Sequence, residues 1–102
     1  MTSLNEAKRM RYAVRYSDDA LTALKRLRPY DRGAILNSID RILTTNPTLV
    51  SKARIKRLRQ PAPTQYRLRV GEFRILYDVE EQTVKILLIL SKEEAERQLG
   101  DI

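Results

Sequence analysis

Arg67, Arg69 and Arg74 flank Gly71-Glu72, a two-residue connection with glycine first, which suits the tight turn of a β-hairpin of type II′. With Val70 facing Phe73, the pairing runs Arg69 to Arg74, Leu68 to Ile75, Arg67 to Leu76 and Tyr66 to Tyr77. Side chains alternate along a strand, so Tyr66, Leu68, Val70, Phe73, Ile75 and Tyr77 share one apolar face and the three arginines share the other. Arg69 and Arg74 are then direct cross-strand neighbours, an arrangement of like charges that destabilises a sheet unless an anion is supplied. Asp78 shares that face only farther along the strand. A guanidinium presents a planar fork of donors matched to phosphate, so three of them suit a nucleic-acid backbone or a scissile phosphate. The alternative is a solvated cationic surface that keeps a small protein soluble and blunts a sheet edge.

The segment before the hairpin adds Lys52, Arg54, Lys56, Arg57 and Arg59 as candidate RNA-binding residues. From Lys52 to Arg74 eight basic residues face one acid, Glu72, so this window alone carries +7, the net charge of the whole chain. From Ile75 onward three basic residues face seven acidic ones. Such polarity points to a polyanionic partner. Lys8, Arg9, Arg11, Lys25, Arg26 and Arg28 either extend that footprint or form ordinary solvated faces. With 0 His and 0 Cys, the chain lacks the residues of zinc enzymes, Ser-His-Asp hydrolases and His-His nucleases, and neither a metal nor a cofactor is expected. No apolar run reaches the roughly 18 residues of a membrane span, and no export signal is evident, so a cytoplasmic protein is expected.

The elements that must position these residues are legible from periodicity. Tyr12, Val14 and Tyr16 alternate as a strand, and Ser17-Asp18-Asp19 supplies a helix cap with acids in its first turn. Ala20, Leu21, Leu24 and Leu27 form the apolar stripe of a first helix that Pro29 stops. Asp31 is expected to cap a second helix carrying Ile35, Leu36, Ile39, Ile42 and Leu43 and ending before Asn46-Pro47. Residues 46–64 hold three of the 4 prolines and read as a loop with some strand near Ile55. Gln65–Val70 and Phe73–Val79 are the hairpin strands. Val84–Leu90 is apolar on both faces except for Lys85, which places it inside the sheet. Ser91-Lys92-Glu93-Glu94 has the capping-box pattern and opens a terminal helix to about Leu99. Tyr66 and Tyr77 are expected to pack in the core with a hydrogen-bonded hydroxyl. The order β-α-α-(β)-β-β-β-α predicts an α+β fold, with the N-terminal strand and helical hairpin packed on a mainly antiparallel sheet and a short C-terminal helix. Its 102 residues are expected to form one domain, with residues 1–10 a flexible tail.

The run Tyr66-Arg67-Leu68-Arg69-Val70-Gly71-Glu72-Phe73-Arg74-Ile75-Leu76-Tyr77-Asp78-Val79, preceded by Lys56-Arg57-Leu58-Arg59, resembles the RelE branch of the RelE/ParE toxin superfamily. The resemblance covers residues 11 to about 99 and is carried chiefly by this central segment. It implies the RelE-like microbial ribonuclease fold and the toxin of a type II toxin-antitoxin system. It further implies a ribosome-dependent endoribonuclease that cuts mRNA in the decoding site and halts translation, with ribosome and mRNA as partners. A cognate antitoxin would hold the toxin in a heteromeric complex, and no membrane is involved. Positions that are usually basic and catalytic in the family correspond to Arg67, Arg69 and Arg74, which would hold the phosphate and stabilise charge building on its oxygens.

The chain also departs from the family pattern. The first hairpin strand often carries lysines there, and an arginine cannot give up a proton as a lysine can. The family's further arginine and terminal tyrosine or histidine are missing from Leu90-Ser91-Lys92-Glu93-Glu94-Ala95-Glu96-Arg97-Gln98-Leu99. Lys92 is the nearest basic residue, suited to an acid or an electrostatic clamp, and Glu93 is a candidate base if not simply helix-capping charge. Two other readings share the fold: a ParE-like toxin that inhibits DNA gyrase by binding, and a catalytically silent relative that binds RNA or the ribosome. Limiting the first helix to about three turns favours the RelE-like reading over the ParE-like one.

Overall fold

The computed structural model describes residues 11–100; the tail expected over residues 1–10 lies outside them. The elements are β1 (Ala13–Tyr16), α1 (Asp18–Arg26), α2 (Pro29–Ser38), a π-helical segment (Ile39–Leu43), β2 (Ile55–Arg57), β3 (Tyr66–Val70), β4 (Phe73–Glu80), β5 (Thr83–Ser91) and α3 (Lys92–Leu99). Among the described residues no helix is long and apolar enough to cross a membrane.

Ser17 caps α1 as its sequence suggests. Its backbone is extended and its hydroxyl accepts from the Ala20 amide at 3.0 Å, with Asp18 and Asp19 complementing the positive end of the helix. The start of α2 differs from expectation. Pro29 does not merely stop α1; it occupies the first turn of α2, where its fixed φ and missing N–H carry no penalty. Arg28 takes the cap position with no side-chain hydrogen bond, and Asp31 falls inside the first turn as a dipole partner instead of the cap. Arg32 reaches back to tie off the end of α1, its Nε donating to the Leu24 carbonyl at 2.8 Å and its Nη2 to that of Leu27 at 2.7 Å.

The sheet has the order β1-β5-β4-β3-β2 and is antiparallel except for β1, which runs parallel to β5 at one edge. The α+β architecture and the interior place of β5 are as expected. All five expected hairpin pairs are present, from Tyr66 with Tyr77 to Val70 with Phe73. Gly71 has φ +54°, the left-handed value that the first loop position of this turn requires and that glycine adopts without a Cβ penalty. Gln65 stands just before β3 and works through its side chain: its Oε1 accepts from the Val79 amide, while its own amide donates to Asp78 Oδ1.

The helical hairpin covers one face of the sheet. Ala20, Leu24, Ile35, Ile39 and Leu43 pack on Leu68, Ile75, Tyr77, Val84 and Ile86. Tyr77 is fully buried, donates its hydroxyl to the Pro47 carbonyl at 2.6 Å and stacks on Tyr66 with 5.5 Å between ring centres. The other face is built by a β-bulge. Pairing steps from Leu76 with Leu88 to Tyr77 with Ile86, leaving Leu87 without an opposite residue. The extra residue reverses the alternation, so Val84, Ile86 and Ile89 join the main core while Leu88 and Leu90 turn to the opposite face. There Leu90 joins Leu58 and Leu76 in a small second core that seats Ala95 of α3.

Candidate functional site

The face that carries α3 is organised in two rows across the sheet. Lys56 lies opposite Arg67, Arg67 opposite Leu76 and Leu76 opposite Leu88. In the next row Arg69 lies opposite Arg74 and Arg74 opposite Leu90. Each row is therefore cationic toward the β2 edge and apolar toward β5. Helix α3 settles on the apolar part, and the cations remain beside it in a cleft of about 260 Å³ lined by Lys56, Arg67, Arg69, Arg74, Lys92, Ala95, Glu96 and Gly100.

Three contacts fix α3 in that place. Ser91 and Glu94 form the complete capping box, Oγ accepting from the Glu94 amide at 3.0 Å and Glu94 Oε1 from the Ser91 amide at 2.9 Å. The Lys92 amide donates to the Glu72 carbonyl at 2.7 Å, pinning the helix to the hairpin turn. Ala95 is buried in the second core. Lys92 and Glu96 are four residues apart on a helix, hence on one face, and that face borders the arginines.

The arginines differ in environment. Arg69 is exposed, but Arg67 and Arg74 retain only 8% and 7% of their accessible surface, so the triangle expected from the sequence is not a solvated surface. Arg67 Nη1 donates to the Arg54 carbonyl at 3.1 Å, while its buried Nε has no hydrogen-bond partner. Arg74 Nη1 donates to the carbonyls of Gly71 at 2.9 Å and Phe73 at 3.0 Å. Burial, followed by the charges of Arg74 and Arg69, pulls the Arg67 guanidinium below the usual arginine range. Burial and Arg69 do the same to Arg74, opposed by Glu72, Glu96 and Glu93. Asp78, the acid expected farther along the hairpin face, is thus not the one that acts on Arg74; the acids that do come from the turn and from α3. Among the described residues the one ion pair is Lys85 with Glu80, far from this cleft on β4 and β5, so no carboxylate closes on these arginines. The cleft is a preformed set of five cations facing one carboxylate, Glu96, that does not pair with the arginines.

Two neighbouring hollows extend it. Lys56 also lines a groove of about 660 Å³ with Arg57, Leu58, Arg59, Pro61 to Pro63, Gln98 and Leu99. Arg69 also lines a hollow of about 390 Å³ that includes Arg41 and Arg54. The shared residues join the three into a continuous basic track. Of the residues singled out in the sequence, Arg67, Arg69, Arg74, Lys92 and Lys56 meet in the central cleft, Arg57 and Arg59 flank it on one side and Arg54 on the other. Arg57 also lies over the Tyr66 ring at 4.9 Å. Lys52 is exposed and lines none of these three hollows. Glu93 does not line the cleft, and Glu94 is held by the capping box.

Two residues escaped the sequence reading. Arg41 lies in the π-helical segment, whose wider turn shifts the helical phase and leaves no periodic signal for its direction. Glu96 had a usable signal in its four-residue spacing from Lys92. Among the described residues no cluster of three or more His, Cys, Asp or Glu could hold a metal ion.

The comparisons with known proteins agree with this architecture. The sequence profile of the family described as "ParE toxin of type II toxin-antitoxin system, parDE" matches residues 14–96. A chain in the RelBE2 toxin-antitoxin complex from Mycobacterium tuberculosis superposes with a TM-score of 0.66 at 26% identity, covering 79% of this chain and 98% of that one. A chain in the archaeal RelE-RelB complex from Pyrococcus horikoshii gives 0.67 at 27% identity, covering 81% and 97%. One in the RelB-RelE complex from Methanococcus jannaschii gives 0.62 at 21% identity, covering 82% and 96%, a likeness of fold. No curated protein matches by sequence.

Proposed function

Because this chain belongs to the ParE toxin family of type II toxin-antitoxin systems, within the RelE/ParE superfamily, we propose that it arrests translation by cutting mRNA on the ribosome. The observation that carries this reading is the meeting of Lys56, Arg67, Arg69, Arg74 and Lys92 in one cleft. Arg67, Arg69 and Arg74 clamp the scissile phosphate and stabilise the charge that grows on its oxygens as the 2′-hydroxyl attacks. Arg57 and Arg59 on one side and Arg54 on the other track the adjoining backbone phosphates. Toe-printing of mRNA on programmed ribosomes tests this. Wild-type protein should produce discrete cleavage stops and Arg74→Ala should lose them; an intact message with wild-type protein sinks the nuclease reading.

The partner in the cell is a cognate antitoxin, a reading supported by matched structures that are themselves toxin-antitoxin complexes. An acidic segment laid along the basic track neutralises its charge and occludes the cleft. Co-expression with the small protein encoded beside it should yield a stable complex, weakened when Arg69 and Arg57 are reversed in charge.

The family profile also favours a second reading, in which the toxin inhibits DNA gyrase by binding and cleaves nothing. A supercoiling assay run beside the toe-print separates them: loss of supercoiling with intact mRNA selects the gyrase target.

A further inference from the structure

The cleft holds five cations and one carboxylate, Glu96. In-line cleavage by a 2′-hydroxyl needs a group to take that hydroxyl's proton and another to protonate the departing 5′-oxygen. Arginine can do neither at neutral pH, because it does not release its proton. The chain has no histidine and no cysteine to do so.

We propose that Glu96 and Lys92 form the general base and general acid of this site, an inference that rests on the ribonuclease reading. Their spacing puts them on one face of α3, that face lines the arginine cleft, and α3 is fixed by the capping box, the Lys92 amide bond to Glu72 and buried Ala95. The Glu96 side chain is exposed and makes no hydrogen bond or ion pair among the described residues, whereas Glu94 is committed to its cap. Glu96 lines the same cleft as Arg74, the guanidinium that would hold the phosphate, whereas Glu93 does not line it.

The step balances without any further reactant. The Glu96 carboxylate takes the 2′-hydroxyl proton as the 2′-oxygen bonds to phosphorus. The bond from phosphorus to the 5′-oxygen breaks, and the Lys92 ammonium gives that oxygen its proton. The products are a 2′,3′-cyclic phosphate and a 5′-hydroxyl. Proton exchange with water then returns Glu96 to carboxylate and Lys92 to ammonium.

Single-turnover cleavage of mRNA on programmed ribosomes across a pH series, with wild type, Glu96→Gln, Glu93→Gln and Lys92→Gln, tests the assignment. Glu96→Gln should slow cleavage by about 10²–10⁴-fold, abolish the fall in rate toward acid pH and leave RNA binding as tight or tighter, since it removes a negative charge from a phosphate site. Lys92→Gln should abolish the alkaline limb. Glu93→Gln removes the same charge from the same helix and should keep the rate and the acid limb. If wild type cleaves and Glu96→Gln matches it in rate and pH profile, or if both glutamate variants fall equally, the role of Glu96 is overturned while the ribonuclease reading stands. Wild-type protein that cuts nothing overturns both.

Discussion

The Ser17 hydroxyl donates to the Leu87 carbonyl at 2.8 Å across seventy positions of chain, while accepting from the Ala20 amide at 3.0 Å. Leu87 is the residue left unpaired by the bulge in β5, and its carbonyl accepts from this side chain. One side chain therefore caps α1 and satisfies the bulge that turns Leu88 and Leu90 toward α3. Ser17→Ala should destabilise the fold by about 1–3 kcal/mol, combining a lost cap with an unsatisfied carbonyl. Ser17→Asp keeps the cap acceptor but lacks the donor, so it should recover only part. Urea unfolding of the three proteins checks the order; equal midpoints would show that the bulge needs no support from Ser17.

Arg67 gives the opposite sign. Its charge is buried beside Arg69 and Arg74, and its Nε lacks a partner, so its presence costs stability. Arg67→Met retains comparable length without charge. The Arg54 carbonyl that loses Nη1 still accepts from the Arg69 amide at 2.8 Å. Arg67→Met should therefore leave stability unchanged or raise it by about 1 kcal/mol, while abolishing toxicity in cells. A drop of the urea midpoint below wild type would mean that the guanidinium packs more favourably than its charge costs.

Much of this arrangement is legible in the sequence because local rules are strong where they are visible. Gly71-Glu72 sets the hairpin register, and the register places Arg67, Arg69 and Arg74 on one face. Ser17 and Ser91 announce their helices by side-chain chemistry that operates within three residues. What was not legible depends on long-range packing. The bulge at Leu87 interrupts a run of apolar residues whose alternation carries no mark of it. The burial of Arg67 and Arg74 follows from α3 docking on Leu58, Leu76 and Leu90, three residues from three separate segments. Pro29 reads equally well as the end of one helix and the start of the next, and here it does both. The choice of Glu96 over Glu93 depends on which face of α3 meets the sheet, and buried Ala95 decides it.

Tyr77 predicts an alkaline weakness. Burial, then Tyr66, raises its phenol well above the ordinary value of 10.0, with Arg67 opposing. Because the folded pKa lies above the unfolded one, Tyr77 stabilises the fold fully below about pH 10, and this contribution is lost as pH rises beyond it, when the unfolded chain ionises and the folded one resists. Tyr77→Phe removes the titrating group but strands the Pro47 carbonyl that accepted its hydroxyl, at a cost of about 1–3 kcal/mol near neutrality. Thermal unfolding between about pH 8 and 11 should show wild-type stability declining more steeply than that of the variant. Parallel declines would place the alkaline sensitivity elsewhere.

The continuity of the basic track through Arg69 leads to a prediction about salt. Arg69 lines both the central cleft and the hollow that includes Arg41 and Arg54, so under the proposed function an RNA strand would meet it between two successive phosphate positions. For single strands, log K falls with log salt at about 0.7 per neutralised phosphate. Arg69→Gln should weaken binding of a short single-stranded RNA and flatten that slope by about 0.7. Arg26→Gln, at the exposed last turn of α1 and off the track, should leave the slope unchanged although it removes the same formal charge. Fluorescence anisotropy between about 50 and 200 mM salt reads both slopes. Equal flattening in the two variants would mean that net charge alone governs binding; a change confined to Arg69 places the strand along the line joining Arg57, Arg67, Arg69 and Arg54.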